Sequence, residues 1–161
     1  MSEAIIVKDL GPVEIQQYQQ NRYPCFFIDY LEEAIAGRSA RGYKNFTYNE
    51  WFFPVHFADE PSVPGFIQIE MLTQVFLMTF LTYPENKGKK TGFVAVNKAR
   101  FKKKIEPGHR IDIVATLDSY KRGLAQGRSV GYLGGEVACQ VDLTIAVPDV
   151  MNAFIPGRTG Q

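Results

Sequence analysis

The sequence is poor in the residues that form covalent or metal-held frameworks. Among its 161 residues are two cysteines and two histidines. Cys25 and Cys139 are far apart in the chain, and neither a CxxC motif nor a Cys/His ligand spacing occurs. The cysteine content therefore excludes a disulfide framework, and no metal is expected.

Targeting signals and long apolar stretches are also lacking. Residues 1–7 have no basic region followed by an apolar stretch, so no secretory signal is predicted and the cytoplasm is the expected location. The most apolar stretch, residues 66–81, has 11 apolar residues out of 16, but it is too short for a membrane span and contains Glu70. With 45% hydrophobic and 22% charged residues, the chain has the composition of a folded globular protein.

A large excess of one charge sign is absent, since the formal net charge is +1. This total conceals a net charge of −6 in residues 1–86 and of +7 in residues 87–161. A near-neutral chain argues against a general nucleic-acid-binding protein, and the aromatic residues are not interleaved with the basic ones as a base-stacking surface requires. The basic residues form either a solvated face or a docking surface for an anionic partner, the candidates being Lys98, Arg100, Lys102, Lys103 and Lys104.

The apolar stretch predicts the central element of a single domain over residues 1–161. Its apolar residues occupy nearly every side of a helix, which indicates a buried helix. Pro64 and Gly65 stand where this helix would begin, and Pro84 follows its end.

Strands are predicted on both sides of the helix, from alternating patterns and from β-branched and aromatic content. They are placed at residues 26–36, 38–48, 93–96, 99–105, 111–118 and 137–147. Gly134 and Gly135 predict a hairpin turn before the last strand. One buried helix among antiparallel strands is an α+β arrangement. Residues 148–161 are predicted to form a loop or tail.

One catalytic motif is present by sequence and excluded by context. Residues 127–131 match GxSxG, the nucleophile elbow of α/β-hydrolases, which requires a strand, a sharp turn and a helix, with the triad histidine later in the chain. Both histidines precede Ser129, and strands are predicted after it. The match is interpreted as a coincidence.

Two ionisable residues in apolar surroundings are the candidate catalytic pair. His56 lies in the aromatic segment 51–57, where desolvation disfavours a charged imidazolium. Glu70 lies in the opening turns of the predicted helix, where the helix dipole favours its carboxylate and desolvation opposes it. The alternative interpretation of His56 is a core histidine, and that of Glu70 is a surface residue that interacts with the helix dipole. As a pair, they fit a general base and a general acid.

Several short motifs occur in a fixed order along residues 15–147. They are Asn21-Arg22-Tyr23-Pro24, Asn49-Glu50-Trp51-Phe52-Phe53, His56-Phe57, Glu60-Pro61-Ser62-Val63-Pro64-Gly65, Glu70, Gln74, Ala99-Arg100-Phe101-Lys102, Pro107-Gly108 and Gly134-Gly135. In this order and spacing the chain resembles the FabZ-type (3R)-hydroxyacyl-acyl carrier protein dehydratases. An ordered set of this kind is more specific than any of its members.

The resemblance implies an α+β hot-dog fold, in which an antiparallel sheet wraps around one long central helix, here residues 65–82, with the core of the domain at about 15–147. It also implies a homodimer with active sites at the subunit interface, where His56 of one chain faces Glu70 of the other. Hexamers built as trimers of dimers occur among such proteins.

The resemblance further implies the reaction, the loss of water from a 3-hydroxyacyl thioester to give a trans-2-enoyl thioester. His56 would act as base at C2, and Glu70 would protonate the departing C3 hydroxyl. The Gly65 N–H would bind the thioester oxygen, because an amide at the positive end of a helix suits a developing negative charge. Gln74 is also expected to bind the substrate. No metal or redox cofactor is expected. The substrate is expected to arrive on the phosphopantetheine of an acidic acyl carrier protein.

The sequence departs from the family pattern in three regions. Around the histidine the family has Gly-His-Phe-Pro-Gly, where this chain has residues 55–59, Val-His-Phe-Ala-Asp. The family has a histidine in place of Asn21. After Glu70 the helix carries bulkier residues than the family does, which predicts either a displaced helix or a narrow acyl tunnel, and hence a specialised acyl group.

Three other functions stay open at this point. Two are enzymes of the same fold, a thioesterase and an isomerising dehydratase, and the third is a non-catalytic hot-dog binding subunit. The presence of both His56 and Glu70 argues against a plain thioesterase.

Overall fold

Strands precede and follow one long helix along the chain, as the sequence predicts. The computed structural model describes residues 2–157. Its elements in chain order are β1 (Ile6–Leu10), α1 (Pro12–Ile15), β2 (Tyr30–Ile35), β3 (Ser39–Asn45), α2 (Gly65–Leu81), β4 (Gly92–Phe101), β5 (Arg110–Lys121), β6 (Leu124–Leu133), β7 (Glu136–Ala146) and α3 (Pro148–Asn152), with short 3-10 turns at Phe53–Val55 and Pro84–Asn86.

The strands form a single antiparallel sheet in the order β1-β2-β3-β5-β6-β7-β4. Helix α2 packs against β2, β3, β5, β6 and β7, so that the sheet surrounds it on most sides. Residues 71–82 of the helix and its C-terminal cap are buried without interruption. Apolar side chains on all sides of α2 are thus explained by a sheet that encloses it.

Most of the predicted strands are confirmed, with changes at their ends. The predicted segments 26–36 and 38–48 contain β2 and β3, and the turn between them includes Gly37 at φ +80°. The predicted strands at 111–118 and 137–147 correspond to β5 and β7. The turn before β7 has positive φ at both Gly134 and Gly135, as paired glycines allow.

In the region between α2 and β5 the predicted strands are wrong. Two strands were expected, at 93–96 and 99–105, whereas β4 is one strand that ends at Phe101. Its pairing with β7 contains register shifts between Phe93 and Ala95 and between Val96 and Lys98. Because each bulge inserts an unpaired residue, the alternation of apolar and polar residues breaks inside a continuous strand.

Strands β1 and β6 are not predicted from the sequence. The GxSxG match lies within β6, and Ser129 is completely buried on the face that meets α2. A strand interior cannot present a nucleophile on a strand-to-helix elbow, so the structure agrees that the motif is a coincidence.

The bulky residues of α2 are accommodated by glycines in β6. A Cβ at Gly127 would lie 2.6 Å from the Phe76 ring, and one at Gly131 would lie 3.2 Å from Leu72. The large side chains of the helix therefore fill space that the sheet leaves open. At these positions the helix is in direct contact with the sheet.

The C-terminal segment is only in part as predicted. Where a loop or tail is expected from residue 148, the described residues form α3, which begins with a proline in its first turn and packs Met151 against Gly123 of the β5–β6 turn. Residues 158–161 of the predicted tail lie outside the described residues.

Candidate active site

Glu70 stands in the second turn of α2, half-buried in an otherwise apolar wall. A cavity of about 610 Å³ opens beside it. The remaining walls are formed mainly by apolar side chains, among them Phe27, Trp51, Phe66, Ile69, Phe93 and Val96, together with Cys25. Glu70 is the one ionisable carboxylate among these lining residues. The cavity therefore combines a hydrocarbon surface with a single acid, which suits an acyl chain that reacts at one point.

Gln74 lies one turn behind Glu70 and fixes the orientation of its carboxylate. The Phe27 backbone N–H donates to Gln74 Oε1 over 2.7 Å, so that Nε2 is the free donor of the amide. Nε2 donates to Glu70 Oε1 over 3.0 Å and to the Cys25 carbonyl over 2.9 Å. Since Oε1 of Glu70 is held as an acceptor, Oε2 is the oxygen left to carry a proton.

The structure places Gln74 behind Glu70 and not in the wall of the cavity. Its side chain is completely buried, and its amide is used within the chain. The Gln19 side chain donates to the backbone carbonyl of Gln74 and accepts from Asn21. The segment before β2 is therefore hydrogen-bonded to α2 at Gln74. The sequence gives no sign of Gln19, because its contact is made across 55 residues.

His56 follows the short 3-10 turn at Phe53–Val55, which is anchored by aromatic packing. Phe52 and Phe53 are fully buried and meet each other edge to face, with ring centroids 4.9 Å apart. Ahead of them, Lys44 is buried and bonds to Glu50 over 2.5 Å and to Asp29 over 3.3 Å. The segment that carries the histidine is thus held by apolar burial and by an ion pair.

The tautomer of His56 follows from its neighbour Ser62. Nδ1 lies 3.1 Å from the Ser62 carbonyl oxygen, which can only accept, and 3.4 Å from the Ser62 hydroxyl, which can donate or accept. We assign the proton to Nδ1 because its shorter contact is to the carbonyl oxygen. Nε2 is then the basic nitrogen. The Ser62 N–H returns a bond to the His56 carbonyl over 2.9 Å, which closes the loop between them. Ser62 was not recognised as a site residue, because its part is played by the backbone carbonyl that every residue has.

Gly65 begins α2, so its N–H has no acceptor within the helix. The Phe101 ring covers this position closely, since a Cβ at residue 65 would lie 3.2 Å from its Cζ atom. Any side chain at residue 65 would force the ring away. The glycine keeps both an unused amide and a close aromatic neighbour at the helix end.

The candidate residues are therefore brought together only in part. Glu70 lines the large cavity, whereas His56 is not among the described residues that line it. Gly65 lies at the start of the same helix as Glu70, next to the lining residues Phe66 and Ile67.

Comparison with known proteins decides the family. The model of the FabA-like domain matches residues 21–142. The chain belongs to the FabA-like family.

Its curated relatives within this FabA-like group agree with the resemblance seen in the sequence. The chain is 38% identical to the 3-hydroxyacyl-[acyl-carrier-protein] dehydratase FabZ of Natranaerobius thermophilus over 88% of its length and 98% of the relative. It is 35% identical to the FabZ of Bacillus subtilis over 86% of its length and 98% of that protein. The resemblance to FabZ-type dehydratases is confirmed.

Solved structures support the fold of this FabA-like chain. It is similar to the dehydratase heterocomplex ApeI:P from Xenorhabdus doucetiae, with a TM-score of 0.71 and 14% identity over 83% of this chain and 90% of the other. The protein PH1136 from Pyrococcus horikoshii gives a TM-score of 0.63 and 11% identity, over 81% and 91% of the two chains. Together with the enclosed helix and the antiparallel sheet, this confirms the predicted α+β hot-dog fold.

The departures of this FabA-like chain from the family pattern around His56 lie away from the contacts described above, whereas Asn21 takes part in them through its bond to Gln19. Val55, Ala58 and Asp59 are exposed, and the bond that orients His56 comes from the backbone of Ser62. After Glu70, the bulky residues Met71, Leu72, Val75 and Phe76 are in the core and do not line the large cavity. The volume of these four side chains does not narrow this cavity, and the specialised acyl group stays a prediction.

The five basic residues of the FabA-like chain divide into two sets. Lys103 is paired with Glu136, and Lys104 bonds to Glu60 over 2.6 Å, which lowers the pKa of the Glu60 carboxyl and raises that of the Lys104 ammonium. Among the described residues, the other three have no ion-pair partner within the chain: Lys98, Arg100 and Lys102.

Two further observations concern the described part of this FabA-like chain. Within residues 2–157, no group of three or more His, Cys, Asp or Glu side chains is placed to hold a metal ion. None of the helices described here is long and apolar enough to cross a membrane.

Proposed function

We propose that the protein removes water from (3R)-hydroxyacyl thioesters carried on an acyl carrier protein and forms trans-2-enoyl thioesters, in fatty-acid biosynthesis or a related acyl pathway. The observation that carries this proposal is Glu70, a single carboxylate in an otherwise apolar cavity, with one oxygen held by a buried amide. The named activity of the FabZ relatives supports the same reaction.

The proposed mechanism uses three groups. His56 Nε2 takes the proton from C2, and the electrons of that C–H bond form the C2–C3 double bond. Glu70 gives its proton to the C3 hydroxyl, and the C3–O bond breaks with release of water. The Gly65 N–H binds the thioester oxygen while negative charge develops on it, aided by the helix dipole.

The active site is proposed to be shared between two copies of the chain. The cavity with Glu70 does not include His56, so a base supplied by a second copy would complete it. Strand β4 lies at the edge of the sheet, and its exposed side chains include Phe93, Val94 and Val96. An open edge with apolar side chains is suited to pair with another copy, since such edges are normally blocked or covered. The homodimer is our proposal, and a trimer of dimers is its further form.

A mixing experiment tests the shared site. Homodimers of His56→Ala and of Glu70→Gln should each be inactive. After the subunits exchange, mixed dimers contain one site with both residues intact, so the activity should recover to about a quarter of the wild-type value. No recovery, with exchange confirmed by mass spectrometry of intact dimers, would place both residues of a site in one chain.

The carrier protein is proposed to dock on the basic residues, with Lys98, Arg100 and Lys102 contributing more than the paired Lys103 and Lys104. An increase in ionic strength from about 0.05 M to about 0.5 M should raise KM for a carrier-bound substrate several-fold and leave a small thioester mimic almost unaffected. Arg100→Gln should raise KM for the carrier-bound substrate, and Lys103→Gln is the matched control. An equal effect of both variants would contradict this division.

The reaction itself is tested with a 3-hydroxyacyl carrier thioester and mass spectrometry. We expect a loss of one water molecule per acyl group, abolished by His56→Ala and by Glu70→Gln. Hydrolysis to the free acid would indicate a thioesterase. If no acyl thioester is converted, the chain is a non-catalytic binding subunit.

A further inference from the structure

A second, smaller cavity of about 170 Å³ adjoins Glu70. It shares Glu70 and Phe93 with the large apolar cavity and is called the side cavity below. Its other lining residues are Asn21, Thr73, Thr91 and Gly92, together with the apolar Leu77 and Ile145. Glu70 therefore borders two spaces.

The two spaces differ in chemical character. Around the large cavity Glu70 is set among apolar side chains. Around the side cavity a carboxamide and two hydroxyls join it, beside the apolar side chains of Leu77, Phe93 and Ile145. Asn21 uses its amide nitrogen to bond Gln19, and Thr73 donates its hydroxyl to the Ile69 carbonyl. Each of the two therefore keeps an oxygen that can accept a further hydrogen bond. Polar groups of this kind suit water better than a hydrocarbon chain, because a confined water molecule needs two to four polar partners.

The size of the side cavity fits several water molecules. At about 30 Å³ for each molecule in the liquid, it corresponds to about six. Gly92 lines the side cavity, and because its φ is not positive, its backbone does not require glycine. A Cβ at this position would meet no atom within 4 Å. The missing side chain thus leaves space beside the catalytic acid with no backbone reason for it.

We propose that the side cavity is the water site of the dehydration. It receives the water formed when Glu70 protonates the C3 hydroxyl, and it passes that water to solvent while the enoyl chain is still bound in the apolar cavity. In the reverse direction it supplies the water that adds to C3. This inference rests on the proposed function, and it assigns Gly92 and Thr73 to the path of the water.

Isotope exchange at chemical equilibrium tests the proposal. The enzyme is added to an equilibrium mixture of 3-hydroxyacyl and enoyl thioesters in water enriched in ¹⁸O, with a trace of ¹³C-labelled enoyl thioester. Entry of ¹⁸O into the hydroxyacyl pool reports release of water, and entry of ¹³C reports release of the enoyl chain. In the wild type we expect ¹⁸O to exchange faster than ¹³C, because water leaves first.

Variants of the side cavity should remove this difference. In Gly92→Phe the ratio of the two exchange rates should fall to about one, since water can then leave only after the acyl chain has vacated the large cavity. Gly92→Val, which suits a strand, and Thr73→Val should lower the ratio and serve if the phenylalanine variant does not fold. Thr116→Val, on the solvent-exposed face of β5, makes the same side-chain change away from the cavity and should leave the ratio unchanged.

Each other outcome decides against the proposal. A wild-type ratio of one or below means that water leaves with or after the acyl chain. A changed preference for chain length in Gly92→Phe, at an unchanged ratio, means that the side cavity holds acyl chain. If the wild type converts no 3-hydroxyacyl thioester, the proposed function fails and the water site fails with it.

Discussion

Two glutamines on α2 allow a stringent test of how the Glu70 carboxylate is held. Gln74 and Gln68 are both buried, but their hydrogen bonding differs. The Gln74 amide makes three side-chain bonds, to Phe27, Cys25 and Glu70. Gln68 donates one bond to the Val63 carbonyl, and among the described residues its Oε1 has no partner.

Replacement of each glutamine by leucine should therefore have unequal effects. Gln74→Leu leaves the buried Phe27 N–H without an acceptor, which costs about 1–3 kcal/mol, and removes two further bonds whose partners can turn to water. We expect a total loss of about 2–4 kcal/mol in the free energy of unfolding. Gln68→Leu removes one bond but also an unsatisfied acceptor, and should change stability by less than about 1 kcal/mol.

Thermal and urea denaturation of the two variants, at equal protein concentration, measure this difference. For a chain of this length, 2–4 kcal/mol corresponds to a decrease in Tm of about 5–15 °C. Since both variants gain the same leucine, the apolar contribution largely cancels in the comparison. Equal losses in the two variants, or a smaller loss in Gln74→Leu, would refute the assignment of these bonds.

Three further predictions concern the thiols, a buried glycine and a buried cation. Burial raises the pKa of the Cys139 thiol to about 12, so that about one part in ten thousand is thiolate at pH 8, and an alkylating reagent should modify the exposed Cys25 alone in the native protein. Rapid labelling of both cysteines, followed by peptide mass spectrometry, would contradict this burial. Gly127→Ala should lower the free energy of unfolding by about 3 kcal/mol or prevent folding, because its Cβ would overlap a backbone carbonyl oxygen, whereas Gly92→Ala should cost less than about 1 kcal/mol, as judged by urea denaturation. Lys44→Met leaves two facing carboxylates without their cation and should cost about 2–4 kcal/mol, discounted for their partial exposure; an unchanged urea midpoint would show that the pair contributes nothing.

The parts of the fold that were predicted correctly are those with a regular apolar pattern. Helix α2 is apolar on all sides and has proline near both ends, and β5 alternates strictly along most of its length. In β6 the inward positions include Gly127 and Gly131, which lower the strand signal because the helix, and not the strand, supplies the bulk there. In β4, two register shifts interrupt the alternation.

The candidate site was predicted through its side chains and missed where the backbone or a distant residue acts. His56 and Glu70 are conspicuous as ionisable residues in apolar sequence. The Ser62 carbonyl that sets the tautomer of His56 has no sequence signature. The ion pair between Lys104 and Glu60 joins residues 44 positions apart, so no local charge pattern reveals it.

The fit between α2 and β6 restricts how parts of this chain can be exchanged with those of its relatives. The space above Gly127 and Gly131 is taken by Phe76 and Leu72, so volume has been moved from one element to another across the core. A helix with smaller residues, transplanted alone, would leave voids above these glycines. This helix, transplanted onto a strand with side chains at the two positions, would collide with them. The two segments are about fifty residues apart in the chain, but their side-chain volumes are matched to each other. They should therefore be exchanged with those of a relative only together.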